Sequence, residues 1–238
     1  RDVTADQVGS FVLNSGEEIT AESAVLTIHP RKILELLPRE HLSKAFVNRI
    51  ESFESSAGFF SVYGTLGGSL DPEFGSTITS LFPITDFEQM LAPAYRGEPA
   101  LVICESPETV HGSPLQVITA FEPSFPEHVE VWKNSSTGCR PPAYEAYKAG
   151  RAEAIREHLG RYNRRYRDHF QLLDSASILT FRDYLNSPDG SAYGIKQKLG
   201  QYNLIGKLPI HNLFAAGQSA ILPGVTGAMM SSFIITRV

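Results

Sequence analysis

The residues whose types and spacing best suit chemistry are Ala216-Gly217-Gln218 and Pro223-Gly224-Val225-Thr226-Gly227-Ala228. A short run, Asn212 to Ala216, reads as a buried strand that stops at Gly217. Pro223-Gly224 then opens an apolar helix that passes through small residues: Gly227, Ala228, Ser231 and Ser232. A strand, a glycine stop and a helix start of this kind let the backbone approach a flat or anionic ligand. The free N–H groups and the positive end of the helix dipole then face that ligand. Glycine and proline alone fit a ligand-free strand–turn–helix unit equally well.

Four further features carry candidate chemistry. Tyr193, within Gly190-Ser-Ala-Tyr-Gly194, reads either as a loop tyrosine packed over a sheet or as an aromatic facing a substrate. Flat rings suit a conjugated chain. His29 closes an apolar run before Pro30, where a histidine with both nitrogens satisfied is the commoner case and a ligand-binding one the sharper. Arg161-Tyr-Asn-Arg-Arg-Tyr-Arg167 interleaves arginines and aromatics; it is either a solvated helix face or a basic stripe for peripheral contact with an anionic membrane. Cys104 and Cys139 are far apart without metal or redox spacing, which suits reduced thiols in a cytoplasmic compartment, with a single disulfide as the alternative. The histidines lack metal spacing, so no metal is expected. Leu208 and the extra residue between Gly200 and Gly206 break a P-loop pattern, and Ile221 breaks a nucleophile elbow after Gly217-Gln218-Ser219.

The elements that must position these residues follow from periodicity. Gly9–Asn14 and Glu17–Thr20 read as a hairpin about Ser15-Gly16, and Ala24–Ile28 as a buried strand ended by Pro30. Short helices are expected over Arg31–Leu37 and Glu40–Phe53, with Leu42, Ala45, Phe46, Ile50 and Phe53 on one face. Gly58–Leu66, Ala100–Cys104 and Leu115–Phe121 read as strands, with His128–Trp132 as a further one; Gly67-Gly68 and Pro72 mark loops. Tyr144 to Phe170 reads as the longest helix, broken by Gly150 and Gly160, and Leu185–Leu204 as loop-rich. The fold class is therefore α+β: a mixed sheet with helices over residues 31–205, flanked by segments 1–30 and 206–238 of a Rossmann-like domain. At 42% hydrophobic and 20% charged, the chain has ordinary globular composition, and its net charge of −5 argues against nucleic acid as a partner. No apolar run is long enough to span a membrane.

The C-terminal motif resembles the flavin-binding end of the phytoene dehydrogenase family, which includes carotenoid desaturases, carotenoid isomerases and retinol saturases. The opening β passage and Asp174–Tyr184 followed by Gly190–Gly194 are similar as well. The resemblance implies FAD as cofactor, held by Gly217, Gln218, Pro223, Gly224, Val225, Thr226, Gly227 and Ala228, and a lipophilic polyene or isoprenoid substrate with Tyr193 beside it. Its reaction would be desaturation, saturation or isomerisation of a carbon–carbon bond. The family often has an acidic residue after the first glycine, to hold a ribityl hydroxyl; here Gln218 stands there, and an amide can both donate and accept. No residue is singled out as a catalytic acid or base.

The chain departs from the family in one large respect: it contains no Gly-x-Gly-x-x-Gly, the turn that carries the cofactor pyrophosphate. It opens on Arg1-Asp2-Val3 and ends at Val238 within an apolar helical run, so both ends read as cuts. The expectation is the C-terminal part of a longer enzyme, binding FAD weakly or not at all by itself. A flavin amine oxidase-like enzyme and a non-catalytic binding module derived from such an enzyme are the alternatives.

Overall fold

The computed structural model describes residues 3–4, 7–67, 76–110, 112–201, 203–204 and 206–236. The loops expected at Gly68 and Pro72 lie outside the described residues. In chain order the first elements are β1 (Val3–Thr4), β2 (Gln7–Val8), β3 (Ser10–Val12), β4 (Glu18–Thr20), β5 (Ala24–Leu26), α1 (Pro30–Leu36) and α2 (Lys44–Glu51). Next come β6 (Gly58–Leu66), β7 (Thr77–Leu81), α3 (Phe87–Met90), β8 (Leu101–Val110), β9 (Ser113–Ser124), α4 (Pro142–Tyr162), α5 (Arg164–His169), β10 (Phe170–Ala176) and α6 (Ile178–Leu185). The last are β11 (Gly206–Lys207), β12 (Leu213–Ala215) and α7 (Gly224–Ile235). The class is mixed α and β, as expected.

The chain forms two compact units: Arg1–Ser56 with Asn186–Val238, and Ala57–Leu185. This moves the boundaries expected at 30/31 and 205/206. The cause is packing. Ile33 and Leu34 of α1 and Phe46 and Ile50 of α2 share one core with Leu208, Ile210, Leu213 and Ala215, so both helices belong with the flanking segments.

In the first unit, β12 lies between β11, antiparallel, and β5, parallel. The two strands read from opposite ends of the chain thus pair directly, Leu213 with Ala24 and Ala215 with Leu26. β5 is an edge strand, and Val25 is exposed rather than buried as expected. Pro30 starts α1 at a position where its missing N–H costs nothing. The helix expected from Glu40 begins only at Lys44, because the Ser43 side chain accepts the Phe46 N–H at 3.2 Å and caps it there. Ala45 is accordingly exposed.

The second unit is a five-stranded antiparallel sheet in the order β10-β6-β9-β8-β7. Alternation sends Phe60, Val62, Leu66, Leu101, Ile103, Ile118 and Ala120 to one face, where Ala152, Ile155 and Leu159 of α4 cover them. The polar stretch Glu105–Pro114, expected to separate two strands, instead extends them into one long hairpin paired out to Val110 and Ser113. His128–Trp132 is not a strand: Pro126 opens a 3₁₀ turn over Pro126–Trp132. α4 runs unbroken through Gly150 and Gly160 and ends instead at Asn163, whose side chain accepts the Arg165 N–H at 2.9 Å and starts α5.

Candidate functional site

The site expected at the chain's C-terminal end is built on the parallel pair β5 and β12. Gly217 follows β12 with φ +94°, a left-handed conformation that favours glycine, and it lies against Thr27 just beyond β5. The Gly217 N–H donates to Ser231 Oγ at 2.8 Å, and that hydroxyl donates to the Ala228 carbonyl at 2.6 Å. A buried serine of α7 therefore fastens the helix to the end of the strand. The Ala220 N–H closes the turn onto the Gly217 carbonyl at 3.0 Å.

The second passage singled out in the sequence, Gly190–Gly194, packs on this same turn. A Cβ on Gly194, whose φ is +70°, would sit 2.0 Å from Ser219 Oγ. The Gln218 amide nitrogen lies 3.4 Å from the Ala192 carbonyl, a long contact that leaves its own carbonyl oxygen as an acceptor. Tyr193 is 42% exposed, and its backbone N–H donates to Ser56 Oγ at 3.1 Å. Tyr193 and Gln218 are thus brought into one neighbourhood from distant positions in the chain.

Pro223 precedes α7 without a side-chain cap, and Gly224 has φ +81°. Pro223, Val225 and Thr226 are exposed, Gly224 and Ala228 half-buried. Gly227 is buried: a Cβ there would lie 1.9 Å from the Leu222 carbonyl oxygen, which folds onto the first turn of the helix. α7 is inverted relative to an ordinary surface helix. Gly227 and Ser231 face inward, whereas Val225 (78% exposed), Met229, Met230 and Phe233 (63% exposed) face outward.

His29 is the buried N-cap of α1. Its Nδ1 accepts the Arg31 N–H at 3.2 Å, and Nε2 has no partner among the described residues. Burial, reinforced by the Arg31 guanidinium, lowers its pKa to about 4, so the ring is neutral near pH 7 with its proton on Nε2. A cluster that sequence reasoning missed lies on the next residues. Arg31 Nη1 pairs with Asp189 at 2.9 Å, Nη2 donates to the Phe53 carbonyl at 3.0 Å, and Ser55 Oγ also donates to Asp189. These groups join three distant segments, and no local pattern in the sequence signals them.

The basic run is largely neutralised where it folds. Arg161 pairs with Glu98, and Arg164 and Arg167 each pair with Asp168 at 3.0 Å. Tyr166 is buried and donates to Glu105. Both cysteines are free thiols. Among the described residues no group of three His, Cys, Asp or Glu side chains is placed to hold a metal, and no helix is long and apolar enough to cross a membrane. The sequence matches no protein-family model and no curated protein.

Proposed function

We propose that this chain is the C-terminal part of an FAD-dependent oxidoreductase similar to the phytoene dehydrogenases, acting on carbon–carbon bonds of a polyene or isoprenoid. The observation that carries the reading is the junction of Gly217 and Thr27, at the ends of the parallel strands β12 and β5, with the uncapped start of α7. In open α/β sheets, ligands bind beyond the carboxyl ends of parallel strands. The residues present fit one end of a flavin. The left-handed Gly217 and the exposed Pro223, Val225 and Thr226 leave the backbone accessible, and no carboxylate caps the helix start.

When bound, the flavin supplies two-electron chemistry at its ring. The chain's own residues bind and orient. The first-turn N–H groups of α7 would face negative charge on the ring edge. The Gln218 amide carbonyl, left free by the contact to Ala192, would accept from a ribityl hydroxyl, and Tyr193 on the adjoining loop would offer a ring to a conjugated substrate. In the second unit, the sheet face away from α4 carries Phe59, Val102, Cys104, Val117 and Phe121 interspersed with Ser61, Thr65 and Thr119, and Phe59 and Phe121 pack at 4.8 Å.

The test is the visible absorbance of the polypeptide extended upstream by a few hundred residues. Flavin bands in the extended protein that are absent from the 238-residue chain support the split cofactor site. An extended protein that is colourless and takes up no added FAD removes the oxidoreductase reading and leaves a binding module.

A further inference from the structure

We propose that the second unit holds a separate site for a small organic carboxylate, in the concavity of about 340 Å³ lined by Arg96 and Tyr95 after α3, Phe125 and His128 after β9, and Tyr147 and Arg151 of α4. The site does not depend on the flavin reading.

The chain carries 26 acidic residues against 21 basic ones, yet two guanidiniums and no carboxylate line this cavity. Arg151 is fixed from outside it: its Nε and Nη2 both donate to the buried Glu122, so the guanidinium plane is set before any ligand arrives. Arg151 Nη1 has no acceptor among the described residues. Arg96 uses only Nη1, donating to the Pro93 and Tyr95 carbonyls at 2.9 and 3.0 Å. No carboxylate among the described residues pairs with it. A planar guanidinium with spare N–H groups is suited to a carboxylate, which it can engage through two parallel bonds.

The Tyr95 ring folds over Gly97 so closely that a Cβ there would lie 2.3 Å from the tyrosine oxygen. Only glycine lets that ring take its place in the wall. His128 packs edge-on against Phe125 at 5.5 Å. Burial first, and then the fields of Arg151 and Arg96, lower its pKa, against a smaller raising field from Glu127. Met90, Pro123 and Phe125 supply apolar wall. A cavity of this size, mostly apolar with a few convergent donors, matches a ligand with one anionic head on a compact apolar or aromatic body.

The experiment titrates the whole 238-residue chain with 2-naphthoate, with neutral 2-naphthamide and with inorganic phosphate, followed by calorimetry and by amide NMR shifts. Saturable binding of naphthoate is expected, with shifts at Tyr95–Gly97 and His128, weak or absent binding of the amide and of phosphate, and affinity reduced about tenfold in Arg96→Gln at unchanged melting temperature. Tyr95→Phe, which deletes one hydroxyl only, serves if Arg96→Gln fails to fold, and a several-fold loss is expected. The proposal is overturned if naphthoate does not bind, if naphthamide or phosphate binds as tightly, or if the folded variants bind like the parent chain.

Discussion

Helices α4 and α7 bury opposite kinds of side chain. α4 puts Ala152, Ile155 and Leu159 against the sheet and leaves most of its charges in water, whereas α7 turns glycine and serine inward and Val225, Met229 and Phe233 outward. The first arrangement is that of a helix finished by its own chain. The second is that of a helix whose bulky face contributes little until something covers it, and whose close approach to the strand is bought with small residues. Burial of apolar area therefore holds the second unit together, while backbone fit and a buried serine hold α7.

The largest expected effect is Leu159→Ala, a loss of about 2–5 kcal/mol in denaturant unfolding, against a change within about 0.5 kcal/mol for Phe233→Ala. Equal losses would mean that α7's outer face is packed after all. The next concerns His29 in the first unit. Its folded pKa, about 4, is below the ordinary 6.5, so the unfolded chain binds more protons between these values. Stability from this group is complete above pH 6.5 and falls by about 3 kcal/mol as pH drops through 4. His29→Asn retains an acceptor for the Arg31 N–H and should flatten that slope in pH-dependent melting; an unchanged slope would remove the histidine as its source.

Two glycines sharpen the contrast. Gly227→Ala forces a methyl onto the Leu222 carbonyl and should cost about 1–3 kcal/mol, with faster amide exchange at the start of α7. Gly150→Ala in α4 meets nothing within 4 Å and should stabilise by about 0.5–1 kcal/mol. Thermal melts that move both variants the same way would contradict the packing difference.

Much of the architecture was legible where local rules act alone. β6 runs over Gly58–Leu66 as read, the hairpin turns at Ser15-Gly16, and the segment after α6 is loop-rich until β11. Local rules failed where distant partners decided. The polar arms of the β8–β9 hairpin look like loop because their side chains are largely exposed while their backbones pair. Val129 and Val131 alternate as in a strand, but Pro126 sets a 3₁₀ turn. Gly150 and Gly160 suggest breaks that a long packed helix absorbs. At the candidate site, the glycine turn at Gly217 and the start of α7 were visible, since φ and small size are written in residue type. The approach of the Tyr193 loop, the orphaned His29 nitrogen and the Arg31–Asp189 pair were not, because they join residues far apart in sequence and leave no periodic trace.

The pairing of β5 with β12 also governs the order in which the chain can fold. Ala24 leaves synthesis long before Leu213 exists to meet it, and the whole second unit is made in between. The second unit, with its nearest-neighbour hairpin and its helix following in sequence, can collapse while α7 is still unmade. Its collapse shortens the loop that must close before β5 finds its partner, lowering the entropy lost in that step. Until then β5 lacks the partner that it has among the described residues, and the first unit is the part of this chain exposed to mispairing.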